Sequence, residues 1–364
     1  MRITRKPPTD FASLLRRGTV PEPQHGMLPF ASSRAALETG LRALGMTPGQ
    51  CVLLPDYICD VVLHPLHRLS LRHQYYPLTE DLSPDWDALD ALLPGADAAL
   101  LLHPFGQPQD GARFGALCRG HGVVFIEDNA HGWGATDDGL PLEACGDIGI
   151  VSPWKQYGVP HGAFLHLADA DAAAKARNLW GDCPVEHLSL GPSFVKAVLR
   201  AILGRLPMLR LRLMRPPHQI PEPESVPQPP TRPHPAVERF LAGQRPERDA
   251  AVRRALYDVW EEWAVPCGVQ PVFATLHHGA APLCFPACVP AAMGDAQRKW
   301  LEWGWLHDIA VHTWPTLPPD LADDGLVQGR WRRLVCFPIH QGVRPEQLRR
   351  KLAACPPPSF AEGS

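Results

Sequence analysis

The sequence predicts an α/β protein with a mainly parallel central sheet flanked by helices, followed by a smaller C-terminal α+β domain. Between residues 50 and 167, short apolar runs alternate with helical or turn segments, which is the rhythm of βαβ units. Beyond a proline-rich stretch at 216–235 the pattern changes to one long amphipathic helix and alternating strand-like pieces. At 364 residues the chain is long enough for one large domain and a smaller one. The boundary is expected at 245/246.

Taken in order, residues 34–44 carry apolar side chains at helical spacing and stop at Gly45. Strands are expected at 51–55, 71–77, 98–103, 123–128, 148–152 and 163–167, with a crossover helix over 110–119 that ends at Gly120-His-Gly. The second domain opens with a helix over 246–263. It has Pro246 at an early position, Glu247 and Asp249 near the start, and Val252, Leu256, Val259 and Trp260 on one face. Another helix is expected over 295–305, where Trp300, Trp303 and Trp305 read as core, as do Cys284 and Cys288.

Composition narrows the function. The balance of 35 basic and 38 acidic residues leaves a net charge of −3, which offers no global field for nucleic acid. No apolar run is long enough to span a bilayer, and the basic N-terminus is not followed by a secretory apolar segment, so a cytoplasmic protein is expected. Ten scattered cysteines without a CxxC pair indicate neither a metal site nor a disulfide framework. Proline is abundant, with 42 residues, which favours rigid turns and a linker.

The segment 194–235 is atypical. Lys196, Arg200, Arg205, Arg210, Arg212 and Arg215 lie in its first part without an acidic residue between 194 and 215, and prolines fill the rest. A membrane-surface helix is one reading. The other is a packed helix whose long arginine stems reach outward, and the break at Pro207 with Arg205 off the Lys196/Arg200 face favours it.

The densest chemistry lies in Phe125-Ile-Glu-Asp-Asn-Ala-His, Gly146-Asp-Ile-Gly-Ile-Val-Ser-Pro-Trp-Lys and Pro160-His-Gly-Ala. Ligands of open α/β sheets bind at the carboxyl ends of strands, which is where Asp128, Ser152 and Lys155 fall. A lysine able to form a Schiff base, an acid at a strand end, and a hydroxyl with backbone donors for a phosphate are what pyridoxal phosphate requires.

These residues resemble the DegT/StrS-type aminotransferases, fold type I pyridoxal-phosphate enzymes, many of which aminate nucleotide-linked keto sugars. The likeness includes Ser32-Ser-Arg-Ala-Ala-Leu, His103-Pro-Phe-Gly, Glu127-Asp-Asn-Ala-His and Ser152-Pro-Trp-Lys, and later Ile309-Ala-Val-His-Thr-Trp-Pro and Leu334-Val-Cys-Phe-Pro-Ile-His, which resemble small-domain strands. It implies that Lys155 is the Schiff-base lysine and proton carrier, that Asp128 pairs with the pyridinium nitrogen, and that His131 lies beside the ring. It further implies that Ser152, Ser33 and Arg34 serve the phosphate. For the outer ring face Tyr57 and Cys59 compete, and Tyr57 is favoured because it alone offers a stacking plane.

The resemblance also implies a homodimer that takes an amino group from glutamate and passes it to a keto acceptor, in polysaccharide or secondary-metabolite biosynthesis. Ser152 and Lys155 are three residues apart where many relatives have five, Gly162-Ala163 replaces a Gly-Gly, and His161 stands where an acid is frequent. The family's sugar dehydratases replace the lysine, commonly by His, so Lys155 argues against that branch. The alternatives are a non-catalytic cofactor-fold scaffold, a lipid-linked sugar as acceptor, and an acceptor that is not a sugar.

Overall fold

A computed structural model describes residues 1–16, 18–20, 26–188, 228–290 and 295–359. The basic stretch 194–215, with its membrane-surface reading, lies outside the described residues.

The large sheet is built from β1 (Leu28–Phe30), β2 (Cys51–Pro55), β3 (Arg72–Tyr76), β4 (Ala98–Leu102), β5 (Val124–Asn129), β8 (Ile148–Val151) and β9 (Ala163–Leu167), in the order β1-β9-β8-β5-β4-β2-β3. A short ribbon of β6 (Thr136–Asp137) and β7 (Leu140–Pro141) projects between β5 and β8. Strands β2, β3, β4, β5 and β8 pair in parallel, and β9 alone runs opposite to its neighbours. Every residue of β2, β4 and β8 is buried because helices cover both faces of the sheet. That double cover is why these strands read as unbroken apolar runs. The edge strand β3 exposes Arg72 and Gln74, a polar rim that discourages further pairing.

The helix Ser33–Ala43 crosses from β1 towards β2, capped by Ser32, whose hydroxyl accepts from the Ala35 N–H at 3.3 Å. It is buried nearly all round, because the helix Ala170–Gly181 covers the side that does not face β8 and β9. Leu37 and Leu41 are essentially inaccessible and contribute about 1.5–3 kcal/mol each by burial. This packing sets the N-terminus of the helix at the carboxyl end of the sheet.

The helix Pro246–Ala264 packs against the second sheet, β10 (Gln270–Pro271), β11 (Cys284–Cys288) and β12 (Leu334–Pro338), which is antiparallel throughout. Leu256, Val259 and Trp260 from the helix share a core with Phe285, Phe337, Trp300 and Trp303. Cys284 and Cys288 are free thiols within this sheet.

One sequence expectation changes, and two features carry no signal in the sequence. Ile3 packs in the C-terminal core and bridges to Ile309. Residues 309–315 form only isolated bridges, Ile3 to Ile309 and His312 to Cys336, instead of a strand. The three-residue β1, which includes Pro29, pairs antiparallel with β9 and has no strand pattern of its own in the sequence.

Candidate active site

The carboxyl ends of β4, β5 and β8, the turn after β2 and the N-terminus of the helix Ser33–Ala43 enclose a cleft of about 410 Å³, its open mouth included. Ser33, Arg34, Cys59, Asp128, His131, Lys155 and Trp314 line it. Five residues singled out from the sequence therefore do share one cavity: Ser33, Arg34, Asp128, His131 and Lys155.

Asp128 and Glu127 are neighbours on β5 and point to opposite faces, as strand geometry dictates. Glu127 turns away from the cleft. It accepts from the Cys145 and Gly146 N–H groups at 2.8 and 3.1 Å and from His103 Nε2 at 3.1 Å, while the Gln109 N–H donates to His103 Nδ1 at 3.0 Å. Asp128 faces the cleft and accepts from the Ala130 N–H at 2.8 Å. Burial pushes its carboxyl above the usual range, and the Lys155 charge is the main opposing influence.

Ser152 follows β8, and Lys155 closes the turn Pro153–Lys155. Burial lowers the Lys155 ammonium below the ordinary lysine range; Asp128 and Cys59 oppose the shift and Arg34 adds to it. The Ser152 hydroxyl is buried and has no hydrogen-bond partner. Such orphans are rare in native interiors and call for a ligand or water.

His131 is fully buried and takes the Phe105 N–H at Nδ1 over 3.1 Å, so the ring is neutral with its proton on Nε2. Burial, assisted by Lys155, keeps its pKa well below the usual histidine value. Its ring stacks on Phe105 at 5.9 Å and meets Trp314 edge-on at 4.7 Å. The loop that delivers Phe105 depends on glycine: Gly106 has φ +81°, and a Cβ there would lie 2.2 Å from the Ala281 carbonyl oxygen. Gly132 faces it, and a Cβ on Gly132 would lie only 2.7 Å from Gly106 Cα.

Tyr57 does not line the cleft. Its hydroxyl donates to the Trp314 carbonyl at 2.7 Å and its ring packs beside Trp314 and under Arg330, because a buried phenol must find an acceptor. Its competitor Cys59 does line the cleft, with its thiol pushed up to about 11 by burial. The aromatic wall comes instead from Trp314, which sequence reasoning missed as a site residue. It is remote in sequence, and the only signal is an aromatic before Pro315.

Comparison with known proteins matches residues 24–180 to the DegT/DnrJ/EryC1/StrS aminotransferase family. A UDP-N-acetyl-3-dehydro-alpha-D-glucosamine 3-aminotransferase of Acidithiobacillus ferrooxidans is 30% identical over 158 residues, 41% of this chain and 42% of that protein. A dTDP-4-dehydro-2,3,6-trideoxy-D-glucose 4-aminotransferase of Saccharopolyspora spinosa is 28% identical over 155 residues, 41% of this chain and 40% of that protein. The matches thus span about two fifths of these relatives. Among solved structures, the Helicobacter pylori aminotransferase PseC superposes with a TM-score of 0.72 at 12% identity, covering 97% of this chain and 98% of its own. The aminotransferase TlmJ of Streptoalloteichus hindustanus gives 0.64 at 19% identity, over 90% and 84%. The fold is shared with both along nearly the whole chain.

Proposed function

We propose that this chain, whose residues 24–180 match the DegT/DnrJ/EryC1/StrS aminotransferase family, is a pyridoxal-phosphate-dependent aminotransferase that moves an amino group from glutamate to a keto sugar. The observation that carries the reading is the single cleft shared by a buried acid at one strand end, Asp128, and a lysine made less basic by burial after the next, Lys155, facing a helix N-terminus. The acceptor class is supported by the two curated relatives, both named for keto groups on nucleotide-linked sugars. A homodimer working in the cytoplasm completes the proposal.

The residues fit the cofactor on their own geometry. Ser33 and Arg34, which line the cleft at the helix N-terminus, would hold the phosphate, where the positive end of the helix dipole favours an anion; Ser152 is not among the cleft's lining residues, and its buried, partnerless hydroxyl would join them. Asp128 would pair with the ring nitrogen and His131 would lie against the ring. When bound, pyridoxal phosphate supplies the carbonyl carbon that receives the amino group and a conjugated ring that accepts electrons.

The chain's own groups do the rest. Lys155, made less basic by burial, gives up its proton more readily than an ordinary lysine and can move a proton at Nζ. Asp128 places its carboxyl group at the base of the cleft, where the Lys155 charge opposes the effect of burial on it, and its bond from Ala130 fixes the carboxyl orientation. Neutral His131 leaves Nε2–H as its one donor. Leu102, Ile150 and Trp314 form the apolar wall that limits water.

The test is the visible absorption spectrum of the purified protein supplied with cofactor, beside a Lys155→Ala variant. A band that requires Lys155 and is bleached by glutamate supports the proposal. Absence of any lysine-dependent band overturns it, and a band that no amino donor changes favours the scaffold reading.

A further inference from the structure

The turn that carries Lys155 is fastened from two directions by cationic side chains that belong to neither β5 nor β8. Lys6, in the N-terminal arm, donates from Nζ to the Trp154 carbonyl and to the Val159 carbonyl, both at 3.0 Å, and lies over the Trp154 ring at 4.6 Å. Arg253, on the helix Pro246–Ala264, is fully buried and donates from Nη2 to the Gln156 carbonyl at 2.8 Å. Trp154 and Gln156 are the residues immediately before and after Lys155. The carbonyls of the two residues flanking the lysine are therefore each held by a cation from a distant part of the chain.

The second anchor is tied down in its own right. Arg253 also donates to the Pro282 and Ile339 carbonyls at 3.1 and 3.2 Å and to Gln341 Oε1 at 2.7 Å, which uses the guanidinium fork across the C-terminal half. Gln156 in turn donates to the His131 and Ala281 carbonyls at 3.1 and 3.2 Å. A loop carbonyl held by a buried charged donor is a strong contact: losing Lys6 takes away the side-chain donor of the Trp154 carbonyl, and losing Arg253 leaves the Gln156 carbonyl only the longer bond from Gln341 Nε2 at 3.4 Å.

We propose that Lys6 and Arg253 are positioning residues for Lys155, holding the carbonyls on either side of it and so fixing where its amine enters the cleft. The catalytic weight of this clamp rests on the function proposed above; the positioning itself does not. The groups that face the Lys155 amine are Asp128 from β5, Cys59 from the turn after β2 and Arg34 from the helix Ser33–Ala43, with His131 nearby. A lysine released from the clamp gains water and recovers basicity, whereas those neighbours stay in place.

The experiment reads the ionisation of Lys155 without cofactor or turnover. Competitive acylation followed by peptide mass spectrometry gives the pH profile of Lys155 relative to the exposed Lys175. In Lys6→Met the midpoint for Lys155 moves up by about one unit, a roughly tenfold fall in free amine at a fixed pH below it. Lys6→Arg, which keeps a cationic donor, restores the profile. Arg253→Met threatens folding, so Gln341→Leu, which removes one acceptor from the Arg253 fork and the 3.4 Å bond from Gln341 Nε2 to the Gln156 carbonyl, serves as the second variant and shifts the profile in the same direction by less. An unchanged Lys155 profile in folded Lys6→Met protein overturns the clamp. A shifted profile in a protein that shows no lysine-dependent visible band would uphold the clamp and defeat the aminotransferase reading, so the two failures are distinguishable.

Discussion

Ser152→Ala is expected to move two properties in opposite directions. The hydroxyl is 1% exposed and its Oγ has no partner, so the protein without cofactor carries a buried unsatisfied polar group. Such a group costs about 1–3 kcal/mol, and alanine fills nearly the same space without it. Unfolding 364 residues at about 2.1 cal/mol/K per residue gives an entropy near 0.8 kcal/mol/K, so the cofactor-free variant melts about 1–4 °C higher than the parent. On the proposed phosphate role of Ser152, cofactor binding falls instead, because a hydrogen bond to a charged phosphate is worth about 1.5–3 kcal/mol, or about 10- to 150-fold in affinity. Calorimetry on the stripped protein measures the first effect, and titration of the visible band measures the second. A stripped variant that melts lower than the parent would refute the reasoning, since the hydroxyl must then be satisfied in the folded chain.

Four further outcomes follow from the geometry. On the proposed aminotransferase reading, Lys155→Ala lowers amino transfer from glutamate by at least about 10²- to 10⁴-fold for the proton transfer alone, while circular dichroism stays native. Asp128→Asn keeps the bond from Ala130 but removes the charge opposing the burial of Lys155, so the Lys155 pKa falls further, measured as the pH profile of Lys155 acylation. Gly106→Ala forces a side chain at φ +81° into the Ala281 carbonyl and lowers stability in urea titrations by at least about 1–3 kcal/mol. His131, His312 and His340 all have folded pKa values depressed by burial, so the unfolded chain binds protons first as pH drops below about 6.5. Stability is present above that pH and is lost below it, at up to about 1.4 kcal/mol per pH unit for each ring. His131→Gln removes one ring's share of this acid sensitivity in pH-dependent urea titrations.

The central strands were legible because helices cover both faces of the sheet, which turns β2, β4 and β8 into continuous apolar runs bounded by turns. The residues that chemistry singled out, Asp128 and Lys155, were legible because parallel strands present their carboxyl ends to the same side. What could not be read depends on contacts between segments far apart in sequence. Residues 309–315 have strand-like composition, yet pairing stops at the His312–Cys336 bridge and Pro315 offers no N–H to extend it. The ring of Tyr57 suggests stacking, whereas its position is set by the hydroxyl and the acceptor that satisfies it at Trp314. Trp314, Lys6 and Arg253 reach the site only through the fold.

The electrostatics of the cleft explain why these remote residues matter to the lysine. Net charge for the whole chain is −3, but the cleft gathers Arg34 and Lys155 against one carboxylate, Asp128, beside a helix N-terminus. An anion is therefore favoured there, and the Lys155 pKa is set by burial, which lowers it, against Asp128 and Cys59, which oppose that shift, with Arg34 adding to it. Distance governs each of these influences, because a Coulomb interaction in a poorly hydrated site changes by kilocalories over an ångström or two. A lysine on a free turn would average over many such distances and settle near its solution basicity. Fixing the two carbonyls beside it from the N-terminal arm and the C-terminal half selects one distance to Asp128 and one to Arg34, so the ionisation of Lys155 becomes a property of the whole fold.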